Sequence, residues 1–181
     1  LSFKRLKEVM KACGFGLIGQ TKQIAPADKK LYALRDATAT VPYIPLIVAS
    51  IMSKKLAEGL DALVLDVKTG SGAFIQKYPE SVKLAKALCE TGRSFKVDTR
   101  ALITDMNQPL GKYVGNALEV YECLKILRGE GEPEMATTLE LSVELTASML
   151  VQCKVERTTE NGKRKIQEAL SSGKALELFK Q

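Results

Sequence analysis

Two short apolar runs bracket one amphipathic stretch, and that arrangement limits the possible folds more than any other feature of the chain. Residues 62–67 (Ala-Leu-Val-Leu-Asp-Val) are nearly continuously apolar, as strands buried on both faces are. A second run, Thr99-Arg-Ala-Leu-Ile-Thr104, predicts another strand. Between them lie the glycine-rich Lys68-Thr-Gly-Ser-Gly72 and a helical apolar repeat over 79–94. Strand, helix and strand in alternation imply an α/β domain, with a parallel or mixed sheet flanked by helices.

The remaining patterns are mostly helical. Ser2 can cap a helix over 2–13, and Gly14 ends it. Residues 14–20, with glycine near both ends, read as a short strand. Pro26 suits a first helical position, predicting a short helix over 26–35. After a link at 37–41, Pro45 opens a longer helix through Gly59, with Ile47, Ile51 and Leu56 near one face. Further helices are expected at about 115–127, 134–153, 160–172 and 173–180.

Composition removes several function classes. Hydrophobic residues at 45% and charged residues at 27% are globular values across 181 residues. The net charge of +6 arises from 27 basic residues spread among 21 acids, with no block of like charge. There is no interleaving of aromatic and basic residues, so no nucleic-acid partner is expected. Cys13, Cys89, Cys123 and Cys153 form no C-x-x-C pair, and there is no His, which argues against zinc. Reduced thiols in a cytoplasmic protein are the plain reading. No apolar run reaches membrane-spanning length, so no membrane partner is expected. The opening Leu-Ser-Phe-Lys lacks an initiator Met, which predicts a fragment or a processed or engineered start.

Three segments could carry chemistry. The loop 68–72 follows a strand and precedes a helix; its amides either hold an anion or simply close a tight turn. Ser50 and Lys54 are four apart on one helix, with Ile47 three before Ser50. An apolar residue, a hydroxyl and an ammonium on one face could grip a small polar ring, with Arg35 added from the preceding helix. The alternative is that Lys54 and Lys55 are ordinary solvated lysines. In the stretch 105–122, loop carbonyls and a downstream carboxylate either bind a hard cation or form an exposed acidic face.

Several longer motifs occur in order: Leu17-Ile-Gly-Gln-Thr21, Pro26-Ala-Asp-Lys-Lys-Leu-Tyr-Ala-Leu-Arg-Asp36, Ser53-Lys-Lys55, Asp66-Val-Lys-Thr-Gly-Ser-Gly-Ala-Phe74, and Gln108-Pro-Leu-Gly followed by Val114-Gly-Asn-Ala-Leu-Glu-Val120. Together they resemble the thymidine and pyrimidine nucleoside phosphorylases over about residues 3–180. The resemblance implies transfer of a pentosyl group from a pyrimidine nucleoside to phosphate, the co-substrate, giving the free base and a (deoxy)ribose 1-phosphate. It also implies a small helical domain beside a larger α/β domain, with a homodimer formed through the helical one. Residues 27–57 would then belong to the helical domain, and 1–26 with 58–181 to the α/β domain.

By the same resemblance Arg35, Ser50 and Lys54 bind the base, and Tyr32 and Ile47 line its pocket. Leu110 and Tyr113 carbonyls with the Glu122 carboxylate would hold a structural potassium or calcium ion. The family's phosphate site, a Lys-His-Ser segment with a glycine-rich loop, has no counterpart in these residues. The expectation is therefore a phosphorylase fragment, inactive alone, with no complete catalytic set. The alternatives are a non-catalytic binding module, or a related phosphorylase or phosphoribosyltransferase acting on another base.

Overall fold

The two apolar runs pair in parallel as strands β1 (Ala62–Thr69) and β2 (Asp98–Asp105), in register from Ala62 opposite Asp98 to Thr69 opposite Asp105. The computed structural model describes residues 2–16 and 25–180. Both strands run slightly longer than their apolar cores. Lys68 and Thr69, expected in the loop, are strand residues because Thr104 and Asp105 continue the ladder opposite them. Among the described residues the sheet has these two strands.

Eight α-helices surround the pair among the described residues: α1 (Phe3–Cys13), α2 (Pro26–Ala37), α3 (Ile44–Ala57), α4 (Tyr78–Ser94), α5 (Asn116–Leu127), α6 (Ala136–Gln152), α7 (Thr159–Ser171) and α8 (Lys174–Lys180). Ser2 caps α1 by accepting the Arg5 N–H at 3.2 Å, and Gly14 closes it in the left-handed conformation. Residues 14–16 form no strand, and the rest of the strand expected at 14–20 lies outside the described residues, as does the motif at 17–21.

The alternation of β1 sorts its side chains onto two faces. Val67, with Leu63 and Leu65, joins Leu84, Ala85 and Leu88 of α4 and Met52 of α3 in one hydrophobic core. Ala101 and Ile103 of β2 pack on the same cluster, as do Ile44, Ile47, Val48, Ile51 and Leu56 of α3. Met52 and Leu88 are each only 1% exposed; burying such a side chain contributes about 1.5–3 kcal/mol. α3 therefore shares the core of the sheet. The other side of β1 meets α6, which packs in turn on α7. The Gln152 amide donates to the Asp98 carbonyl at 3.2 Å, fixing the end of α6 to the start of β2.

One glycine sets how closely α4 lies on the sheet. A Cβ at Gly92 would fall 1.9 Å from Thr99 Oγ1, so only a hydrogen fits there. The crossover from β1 through α4 to β2 returns both carboxyl-terminal strand ends to one edge. In open parallel sheets that edge is where ligands bind.

Candidate functional site

Ser50 and Lys54 stand one turn apart on α3, and Lys54 Nζ donates to Ser50 Oγ at 3.2 Å. The same ammonium donates to Asp28 Oδ2 at 2.6 Å, joining α3 to the first turn of α2. Burial alone would raise the Asp28 pKa. Hydrogen bonds to Lys54 and Ser50, with the charges of Lys54 and Arg35, outweigh it and hold the carboxyl below its ordinary range.

Arg35 lies in the last turn of α2 and is 5% exposed. Its guanidinium donates to the carbonyls of Leu46 at 3.1 Å and Val41 at 2.5 Å, so it ties down the irregular link between α2 and α3. It also sits 5.3 Å from the Tyr32 ring centroid, in cation–π range. Its Nε is buried without an acceptor. Leaving a charged donor desolvated and unpaired is costly.

The structure thus places Tyr32 against Arg35, and Ser50 against Lys54, with Asp28 in the field of both cations. Ile47 is partly buried and packs on the hydrophobic core. Sequence reasoning missed Asp28. An acid in a first helical turn is commonplace, and its partner lies 26 residues away on another helix.

The strand-end loop behaves differently from a phosphate cradle. Gly70 N–H donates to the Gln76 carbonyl at 3.1 Å, Gly72 N–H to Met106 at 2.9 Å, and Ala73 N–H to Gly70 at 3.0 Å. Ser71 N–H donates to Asn107 Oδ1 at 3.0 Å. These amides already serve protein acceptors, so the tight-turn alternative holds for 70–73. Just before the turn, Lys68 Nζ contacts Asp66 Oδ2 at 2.7 Å and Thr104 Oγ1 at 2.9 Å, and the Thr104 hydroxyl donates to Asp66.

Beyond the turn, Leu110, Tyr113 and Glu122 line one cavity of about 630 Å³, together with Ser71, Gln108 and Thr138. Glu122 is only 3% exposed, so the reading of an exposed acidic face fails for it. Its carboxylate accepts the Tyr113 N–H at 2.9 Å and the Thr138 hydroxyl at 2.7 Å. A Cβ at Gly111 would lie 2.0 Å from Glu122 Oε1, so the bare glycine lets the loop close over the carboxylate. Glu119, one turn earlier, accepts the Gly115 N–H at 3.1 Å.

The loop carrying Leu110 and Tyr113 is clamped from outside. Glu132 accepts hydrogen bonds from both Lys112 and Lys125, which hold its carboxyl down at about 2. Lys125 lies over the Tyr121 ring, 5.7 Å from its centroid, and Tyr121 meets Tyr113 edge to face with centroids 5.5 Å apart. Among the described residues no three His, Cys, Asp or Glu side chains converge as a metal-binding group. Any cation here would rely on carbonyl and hydroxyl oxygens beside Glu122, with Glu119 also on the cavity wall. No helix among the described residues is long and apolar enough to cross a membrane.

Comparison with known proteins adds the following. A family model described as "Glycosyl transferase family, a/b domain" matches residues 1–176. The chain is 50% identical over 174 residues to a thymidine phosphorylase of Agrobacterium fabrum, covering 96% of this chain and 39% of that protein. It is also 50% identical over 164 residues to a pyrimidine-nucleoside phosphorylase of Bacillus subtilis, covering 91% of this chain and 37% of the relative. The chain therefore spans about two fifths of the length of the curated relatives it matches.

Proposed function

The chain belongs to the glycosyl transferase family with this a/b domain, and from that premise we propose that it forms the base-binding side of a pyrimidine nucleoside phosphorylase. The observation that carries the reading is the cationic pair on α2 and α3. Arg35 is held in place by two backbone carbonyls, and Lys54 stands beside Ser50 with one donor to spare. In phosphorolysis a phosphate oxygen bonds to the sugar C1′ as the C1′–N bond breaks, and the electron pair leaves with the base. Negative charge grows on the departing pyrimidine. Fixed cationic donors stabilise that charge more in the transition state than in the ground state, which is what accelerates the step.

Each side chain has a defined part in this reading. The planar Arg35 guanidinium can address a carbonyl and a ring nitrogen lying in one plane. The Lys54 ammonium and the Ser50 hydroxyl reach another polar edge of the ring, and Tyr32 supplies an aromatic wall. Ile47 contributes to the pocket from its core-facing position. Residues 27–57 form part of the helical domain, and the remainder belongs to the α/β domain. The complete enzyme is a cytoplasmic homodimer.

The oxygen-rich cavity at Glu122 fits a hard cation in its donor chemistry. Glu122, with the carbonyls of Leu110 and Tyr113, would hold potassium or calcium as a structural ion. It would brace the 108–115 loop against α5 rather than take part in bond breaking. Phosphate enters from a segment outside these residues, since the turn at 70–73 has its amides committed.

Phosphorolysis of thymidine and uridine, run on this chain and on a full-length protein containing it, tests the proposal. Base release by the full-length protein and none by the chain is expected. Release by the chain alone would mean that phosphate binds within these residues. Release by neither, followed by turnover of another nucleoside in a substrate panel, would move the site to a different base.

A further inference from the structure

Lys54 is a long, flexible side chain, and holding it in one direction costs rotamer entropy that a bound base would otherwise have to supply. The structure shows what holds it. Asp28 reaches from α2 across to α3 and accepts the ammonium at 2.6 Å, over a separation of 26 residues. Its side chain is 13% exposed, against 31% for Lys54, so the carboxylate is the more enclosed partner. An acid in a first turn needs only solvent to benefit from the helix dipole. Asp28 is instead turned inward, within the field of Lys54, Ser50 and Arg35 together.

We propose that Asp28 is the positioning residue of the pyrimidine site, fixing the Lys54 ammonium, with the Ser50 hydroxyl beside it, in the direction from which it meets the base. The proposal rests on the reading of Lys54 and Ser50 as base-binding residues. Two consequences give it physical content. An ammonium has three donors. One goes to Asp28 and one to Ser50, which leaves a single donor with a defined direction for a ligand. Asp28 also offsets one of two neighbouring positive charges. Arg35, Lys54 and Asp28 then sum to a single positive charge, matched to the single negative charge that develops on a departing pyrimidine. Without the carboxylate, two cations would share the site unshielded and Lys54 would be free to swing into solvent.

The test is a double-mutant cycle in the full-length protein, with Asp28→Asn, Lys54→Ala and the pair, read as kcat and KM for thymidine and KM for phosphate. Asp28→Asn is expected to lower kcat/KM for thymidine about 10–100-fold, by analogy with the loss of a group that orients a metal ligand. KM for phosphate should hold, and so should the thermal midpoint. In the Lys54→Ala background the same change should cost several-fold less, because the part exerted through Lys54 vanishes with it and only the Ser50 contact remains. Asp28→Glu, which keeps the charge, should recover part of the loss. It also takes the place of Asp28→Asn in the cycle should that variant not fold. An equal loss in both backgrounds would show that Asp28 only staples α2 to α3, and would overturn the proposal. So would an Asp28→Asn enzyme within twofold of its parent while Lys54→Ala is crippled. Normal turnover by Lys54→Ala would instead remove the base-site reading itself.

Discussion

The α2–α3 pair and the loop leading into α5 solve opposite electrostatic problems with different materials. On α2 and α3 two cations are gathered, and a single carboxylate, Asp28, lies in reach of both. At α5 one carboxylate, Glu122, is buried and satisfied by neutral donors, a backbone N–H and a hydroxyl. The first cluster keeps donors in reserve, including a buried Nε without an acceptor. The second has a donor on each carboxylate oxygen, with a glycine pressed against one of them. On the proposed reading, the first cluster meets charge that appears in a reaction with cationic donors, whereas the second fixes a loop through a buried acceptor.

The sharpest way to break this comparison is Lys54→Ala in the full-length protein. Removing one preorganised donor typically costs 10²–10³-fold in rate, so thymidine phosphorolysis should fall by about that factor while the fold persists. Steady-state kinetics with circular dichroism of the same sample decide it. Unchanged turnover would erase the distinction between the clusters.

Next in size comes the brace. Glu122→Ala leaves the part-buried Tyr113 N–H and Thr138 hydroxyl without their acceptor, each a loss of at most about 1–3 kcal/mol. Urea denaturation should register it directly. Leu88→Ala supplies the calibration, since a core side chain only 1% exposed should cost about 2–5 kcal/mol. If Glu122→Ala were neutral on that scale, the carboxylate would be a ligand-binding group held at a structural cost rather than a brace.

Gly111→Ala sharpens the same point with a smaller change. The added methyl would meet Glu122 Oε1 at 2.0 Å and Thr138 Oγ1 at 2.6 Å, forcing the loop outward. Overpacking of this kind costs about 1–3 kcal/mol. Titration with potassium and calcium, followed by calorimetry, should show weaker cation binding in the variant than in its parent.

The smallest effect is that of pH on the outer clamp. Glu132 falls from an ordinary 4.5 to about 2 through hydrogen bonds from Lys112 and Lys125. A carboxyl depressed in the folded state binds fewer protons there than in the unfolded chain. Its contribution is therefore present above about 4.5 and is lost as pH drops towards 2. Glu132→Gln should lower the thermal midpoint slightly at neutral pH, where the clamp is present, and flatten its fall across that window.

Much of this was legible in the sequence, for identifiable reasons. The parallel pair followed from apolar continuity, and the pairing of Ser50 with Lys54 followed from four-residue spacing on one helix. Both depend on local geometry that any helix or strand imposes. Asp28 was not legible, because its partner is chosen by how α2 packs against α3. Nor were the acceptors of Arg35, which are carbonyls in the irregular link between those helices. The turn at 70–73 looked open to an anion because glycines advertise free amides. The return of the 105–107 loop, bringing Met106 and Asn107, occupies two of those amides, and the turn's own carbonyls at Gly70 and Gln76 occupy the others.

The two-stranded sheet has a practical consequence for anyone purifying this chain. Among the described residues neither β1 nor β2 has a second strand neighbour, so a rim of main-chain donors and acceptors on each has no ladder partner there. Such rims invite strand addition from other molecules. Concentrated samples should thicken or cloud on storage, and a short soluble peptide of strand-forming sequence should slow that loss if the rims are its cause.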